Sequence, residues 1–294
     1  MAREGESIVR FAKEASWGEK ATSGWITAIQ EGEGFKFDDQ IELYKLVTNS
    51  HWPYPRSQEP IKRAVKGTYK TPLFAGSVEA LIQAALRNVS GLLDSYTWEK
   101  KDVYGQWSAY GGKVASMTLE VPASGPAMLT LDWMFKGIAS TTGITAGEYP
   151  TGLAYKGGAN TLTVNSVPYA TMETGQIAIA NNLQEGPVNG LALEIAFLDE
   201  GICDYTGSFK CKFASAAWDA FLRTLTNLDV TAFPAVLTLL NQAGESAKNV
   251  SVSFPAGSLK CSNASKEAAD QGSVIMQTLE VVHATTGPTW TFPS

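Results

Sequence analysis

Histidine is almost missing from this chain of 294 residues: only His51 and His283 occur, and no motif surrounds either. Hydrolysis and acyl transfer lean on an imidazole base beside a nucleophile, so the scarcity argues against that chemistry. Cysteine is nearly as rare. Cys203, Cys211 and Cys261 are odd in number and spaced unlike CxxC, which points away from a disulfide framework or a zinc ribbon and toward a reducing compartment. No GxGxxG follows a strand pattern, and Walker, HExxH and EF-hand signatures are absent. No run approaches the roughly 20 apolar residues that span a bilayer. Residues 1–7 lack the apolar core of a signal peptide, so synthesis in the cytoplasm and no membrane partner are expected. The sequons at Asn88, Asn249 and Asn263 are then chance matches.

Positive charge is also in short supply. Lys and Arg number 23 against 29 Asp and Glu, a balance of −6, opposite in sign to a chain that neutralises phosphates. The basic run Lys62-Arg63-Ala64-Val65-Lys66 is short and lies in a strand pattern. Adjacent carboxylates, Asp38-Asp39 and Asp199-Glu200, fall in expected loops, where solvated charge is the ordinary reading and a glycosidase pair the rarer one. The Gly111-Gly112 and Gly157-Gly158 pairs are expected in turns. What the chain has is apolar content, 44% of residues, enough for one large core or two ordinary ones without cofactor or staple.

Most of that content alternates at period two, the strand pattern. Met117 to Val121 and Leu129 to Trp133, joined by Pro-Ala-Ser-Gly-Pro at 122–126, make a hairpin with Leu129, Leu131 and Trp133 on its packed face and Thr130 and Asp132 on its wet face. Similar runs are 176–179, 191–195 and 249–254. Two segments about 140 residues apart share a further pattern: Gly67-Thr68-Tyr69-Lys70 before Val78, Leu81, Ile82 and Ala85, and Gly207-Ser208-Phe209-Lys210 before Trp218, Phe221, Leu222 and Leu225. Each feeds a strand into a short amphipathic helix, with Glu79 and Asp219 matching in the first turn. Thr118-Leu119-Glu120-Val121 and Thr278-Leu279-Glu280-Val281 agree in letters at a different offset. The expected fold is mainly β with short flanking helices (α+β), and the repeated pattern suggests an internal duplication. Long loops are expected at 48–60 and 136–170, the second marking the domain boundary; the divisions are an arm at 1–20 and domains at 21–150 and 151–294.

The segment Lys13-Glu14-Ala15-Ser16-Trp17-Gly18-Glu19-Lys20-Ala21-Thr22 resembles the opening of the tail tube (major tail) proteins of long-tailed bacteriophages. Ile61 to Leu73 with the helix at 77–87, and the hairpin from Lys113 to Gly137, extend the likeness over most of residues 10–137. The resemblance implies a β-sandwich or split-barrel fold for each unit, two units with the duplication, and a structural virion protein, not an enzyme, whose stacked rings conduct DNA during ejection. It implies a homo-oligomer, three copies forming a pseudo-hexameric ring if the chain carries two units, alternatively six copies. Further implied partners are a tape-measure protein, tail terminator and distal tail proteins, and DNA passing non-specifically through the lumen. The implied location is the virion tail, assembled in the host cytoplasm, and no cofactor or metal is expected. A lumen that passes DNA without trapping it should be neutral or negative. Glu120, Thr130 and Asp132 are therefore the lumen candidates, with solvent on the outer surface as the other reading. Trp17, Trp52 and Tyr54, on extended segments rich in Trp and Pro, are the candidates for contacts between rings.

Three other readings stay open: a head–tail connector or tail terminator forming a single ring, a carbohydrate-binding β-sandwich stacking sugars on tryptophans such as Trp98 and Trp107, and, least favoured, a hydrolase using His51 and Cys203.

Overall fold

A computed structural model describes residues 7–29, 35–46, 57–74, 78–149, 152–157, 160–168, 171–186, 188–189, 194–212, 234–240, 249–269, 272–281 and 287–292. In chain order the first strands are β1 (Ile8–Lys13), β2 (Ile26–Thr27), β3 (Lys36–Leu46) and β4 (Ser57–Pro72). The helix α1 (Val78–Ala85) precedes β5 (Tyr96–Asp102), β6 (Gly105–Val121), β7 (Met128–Phe135) and β8 (Gly137–Ser140). Next come β9 (Thr161–Val164), β10 (Val167–Pro168) and β11 (Thr171–Ala180). Four short strands follow: β12 (Gln184–Glu185), β13 (Val188–Asn189), β14 (Glu194–Ile195) and β15 (Leu198–Asp199). The last are β16 (Asp204–Lys212), β17 (Ala235–Leu239), β18 (Val250–Phe254), β19 (Leu259–Ala269), β20 (Gly272–Val281) and β21 (Thr289–Thr291). The protein is mainly β.

One long antiparallel sheet runs through the molecule in the order β3-β4-β7-β6-β11-β16-β20-β19. Two smaller sheets cover one of its faces, β2-β1-β5-β6-β8 and β10-β9-β17-β18-β21. Alternation dictates which residues fill the space between: along β7, Leu129, Leu131, Trp133 and Phe135 are buried while the residues between them are half-buried. Around Trp98, Phe11 stacks at 4.9 Å and Phe35 at 4.3 Å, and Trp133 meets its edge at 5.4 Å. Buried aromatics of this size contribute both area and preferred ring geometry. Under the second cover sheet, Phe209 meets Phe254 edge to face at 5.7 Å beside Leu162, Leu237 and Val252.

The β6 strand serves two sheets because it bends at Gly111-Gly112. Gly111 has φ +65°, and a Cβ at Gly112 would lie 2.5 Å from the Phe135 ring. Only glycine tolerates both demands. The pair therefore lies within a strand rather than in the expected turn.

Other expectations shift in the same way. The expected loop at 48–60 overlaps β4 from Ser57, and β8, β9 and β10 lie within 136–170. Asp38-Asp39 lies on β3 rather than in a loop; charges are tolerated there because β3 is an edge strand. The first helix is α1, with Glu79 in its first turn and Leu81, Ile82, Ala84 and Ala85 buried. The second expected helix, around Trp218 to Leu225, lies outside the described residues, as does the 191–193 part of the run 191–195.

Candidate assembly surface

The long sheet has one packed face and one wet face. On the wet face of β6 and β7 lie Ser116, Thr118, Glu120, Thr130 and Asp132, none of them buried. Ladder registers extend this face across the molecule in rows. One row runs Lys36, Thr68, Asp132, Ser116, Ala180, Asp204. A second runs Met128, Glu120, Gln176, Ser208, Glu280, Lys260. The three lumen candidates thus share one face, and Thr68 and Ser116 each donate a hydroxyl to the Asp132 carboxylate, at 2.7 Å. Among the described side chains of this face, Lys36, Lys66, Lys70, Lys113 and Lys210 stand against Asp38, Glu120, Asp132, Asp204 and Glu280, so opposite charges balance.

Of the stacking candidates, Trp17 lies on its own chain. Its indole donates to the Gly111 carbonyl at 3.1 Å, and the Lys136 ammonium sits 5.2 Å from the ring centroid. Beside it the buried Glu14 carboxylate accepts from Gly18 N at 2.9 Å, Thr97 Oγ1 at 2.7 Å and Gly111 N at 2.7 Å. The Lys-Glu-Ala-Ser-Trp-Gly segment therefore clamps the bend of β6. Trp52 and Tyr54 lie outside the described residues, as do His51 and His283.

The two halves of the chain meet along β6 and β11, paired from Val121↔Gly175 to Ser116↔Ala180. Side chains lock this seam at one end. Asn181, buried, donates to the carbonyls of Ala85 and Val114 at 3.0 and 3.1 Å, capping the last turn of α1 from the other half. Lys113 Nζ meets Glu200 Oε1 at 2.6 Å, and the same oxygen accepts from Leu93 N. Burial pushes the Glu200 carboxyl upward, but the Lys113 hydrogen bond and charge outweigh it, and the net shift is downward. Asn181 and Lys113 follow no sequence pattern that could have pointed to them, and Glu200, expected with Asp199 as solvated loop charge, is instead ion-paired with its side chain 8% exposed.

A cleft of about 540 Å³ opens between β3, β4 and the β5–β6 hairpin. Its carboxylates are already engaged. Asp39 accepts from two of the three Arg63 nitrogens, Nε at 2.7 Å and Nη2 at 2.5 Å, and Asp102 Oδ1 accepts from the Tyr104 and Gly105 amides. Neither is placed as a free acid or base. Trp107 lines the cleft and is 39% exposed, whereas Trp98 is fully buried. Trp98 thus drops out as a sugar platform, because its ring is needed in the core.

Among the described residues no His, Cys, Asp and Glu cluster could hold a metal ion, and no helix is long and apolar enough to cross a membrane. Among the described residues the long sheet has one exposed polar face and ends in two strands without a second partner, β3 and β19. The family model for phage tail tube protein matches residues 6–282, and the chain belongs to that family, a structural component of the virion tail. A search of curated proteins finds no match.

Proposed function

We propose that this chain is a tandem of two tail tube units, and that three copies close a ring whose stacking forms a non-catalytic conduit for DNA. The observation that carries this reading is strand order. Taken in sheet order, β3-β4-β7-β6 corresponds to β11-β16-β20-β19 and β2-β1-β5-β6-β8 to β10-β9-β17-β18-β21, the one strand β6 that serves both sheets being answered by two, β19 and β18. Register agrees with the sequence pattern. Gly67 to Lys70 lie opposite Trp133 to Thr130, and Gly207 to Lys210 opposite Val281 to Thr278. The counterpart of Thr278-Leu279-Glu280-Val281 is therefore Thr130-Leu131-Asp132-Trp133, on a strand next to the letter-identical Thr118 to Val121. In this division β1, within the expected arm at 1–20, is a strand of the first unit, and β12–β15 are inserted where the first unit has residues 47–56.

Width favours three copies over six. With strands ~4.8 Å apart and tilted ~40°, three long sheets of this strand number close a barrel about 50 Å across at the backbone, and six close one of about 100 Å. The smaller barrel still clears a DNA duplex; the larger would leave it unguided. The wet face, with Glu120, Thr130 and Asp132, forms the wall in this reading, and its near balance of charge lets DNA pass without the counterion-release gain that would hold it. Residues 48–60, with Trp52 and Tyr54, contribute to stacking between rings. Assembly takes place in the host cytoplasm around a tape-measure protein, with terminator and distal tail proteins at the ends.

Negative-stain electron microscopy of the purified protein separates this reading from its nearest rival. Long hollow tubes are expected at high concentration. Single rings that never stack would instead favour a connector or terminator.

A further inference from the structure

Where the β5–β6 hairpin faces the β3–β4 hairpin, the packing between the two layers changes character. Inward positions that are apolar along most of each strand turn polar at the same level on both layers. On the long sheet, β4 carries Tyr69 and Val65 inward, both buried, and then Arg63; β3 carries Phe37 and then Asp39. On the cover sheet, β5 carries Trp98 and then Lys100 and Asp102, while β6 carries Ala109 and then Trp107. Phe35 holds the layers together by stacking on Trp98 at 4.3 Å and meeting the Phe37 ring edge-on at 4.7 Å. Beyond these rings the layers part around the cleft of about 540 Å³.

Inward charge is tolerated there because each layer neutralises its own. Asp39 pairs with Arg63 at 2.5 Å across β3 and β4, and Lys100 lies 3.5 Å from Asp102 along β5. Among the described residues no ion pair crosses the gap; Arg63 Nη1 reaches only the Ile138 carbonyl, at 3.4 Å. Exchanging partners across the gap would draw it shut. Two self-neutralised pairs leave it open, at a volume ordinary for small-molecule sites.

Solvated charge accounts for these groups but not for Trp107. Its ring stands at an inward position, opposite Lys100 on one side and Ser140 on the other, and is still 39% exposed. It is also fixed in place. A Cβ at Gly105 would lie 3.3 Å from the indole, so the ring rests on the hairpin turn, and Asp102 Oδ1 holds that turn through the Tyr104 and Gly105 amides. An aromatic plane fixed before binding costs little ordering when a ligand lands on it.

We infer that this cleft is a saccharide site, in which a neutral pyranose ring stacks its C–H face on Trp107 and its hydroxyls bond to the charged groups around it. Carboxylate oxygens of Asp39 and Asp102 accept, and Arg63 and Lys100 donate, which suits hydroxyls that do both. The charges lining the cleft cancel, so a neutral ligand leaves both ion pairs in place, whereas a charged one must break a pair or stay uncompensated. A purely apolar ligand would strip water from the ionic groups and return no hydrogen bonds. The site is complete within one chain, on the side of the long sheet away from Glu120, Thr130 and Asp132, and needs neither the ring nor its symmetry. Assembly of many copies multiplies it, so weak binding at each sums to firm attachment on a polymer of repeated sugars.

The test is isothermal titration of the purified full chain with maltotriose, cellotriose, mannotriose and chitotriose, with sialyllactose as an anionic counter-probe. At least one neutral sugar is expected to bind. Trp107→Ala should weaken that binding by about tenfold or more, and Trp107→Phe should recover part of it. Asp102→Asn keeps the oxygen that holds the turn and should also weaken binding, while Tyr104→Ala, exposed and outside the cleft lining, should leave it unchanged. No binding by any neutral sugar, binding by sialyllactose alone, or binding that Trp107→Ala and Asp102→Asn leave untouched would overturn the saccharide assignment. So would binding present in the unassembled chain and absent from rings or tubes, which would give the cleft to a neighbouring copy.

Discussion

Glu14 accepts three hydrogen bonds and fixes the point where β6 changes sheets. Replacing it with alanine leaves Thr97 Oγ1 and the amides of Gly18 and Gly111 without their acceptor, at a cost of about 3 kcal/mol. The urea midpoint of Glu14→Ala should fall accordingly, with Glu14→Gln intermediate; an unchanged midpoint would remove the clamp. A second residue-scale prediction concerns alkali. Burial pushes the Cys211 thiol up to about 12 and the Tyr69 phenol to about 12. Both folded values are raised, so the stability they confer is full below the unfolded values, about 8.5 and 10, and is lost as pH rises toward 12. Thermal unfolding should therefore show Tm declining above about pH 9, with Cys211 inert to iodoacetamide until the chain unfolds. Flat stability from pH 8 to 11 would contradict this. The Lys-Glu-Ala-Ser-Trp-Gly segment stands out in the sequence, yet its work could not be seen there. Thr97 and Gly111, its partners, are brought to it only by the fold.

At the scale of elements, the internal seam depends on the Lys113–Glu200 pair as well as on the β6–β11 ladder. Glu200 titrates below the ordinary carboxylate range in the fold, so its contribution is present above about pH 4.3, the unfolded value, and is lost as pH falls through the folded one. Glu200→Gln should be less stable than the parent at pH 7 and should lose less on acidification to pH 3, as followed by Trp fluorescence. Parallel pH profiles for the two proteins would place the acid sensitivity elsewhere. Elements were unevenly legible. The hairpin of Met117 to Trp133 was visible in full because its two faces meet different solvents, core and water. The strands within 136–170 were hidden: β8, β9 and β10 are short and lie among glycine and threonine, too brief for alternation to declare itself. Asp38 and Asp39 misled because an edge strand can carry the charges that a central one cannot.

For the molecule as a whole, the repeated Gly-aromatic-Lys pattern was enough to suggest two units, and in the tandem proposed above the counterpart of Thr278 to Val281 differs from the letter match with Thr118 to Val121. Letters compare residues; hydrogen-bond register compares places, and in that proposal it sets Thr130 to Trp133 in the role. The common wet face of Glu120, Thr130 and Asp132 was legible from alternation alone. The open edges were not, because which strands end a sheet is a property of topology that no local pattern carries. Ring size is the consequence of the tandem proposed above: with two units per chain, three chains would be equivalent to a ring of six units. The most direct measurement is a rotational average of end-on views of the assembled protein by electron microscopy. Three-fold symmetry, with six quasi-equivalent lobes around a central hole, is the expected result. Six chains per ring, or a closed particle without a channel, would contradict it.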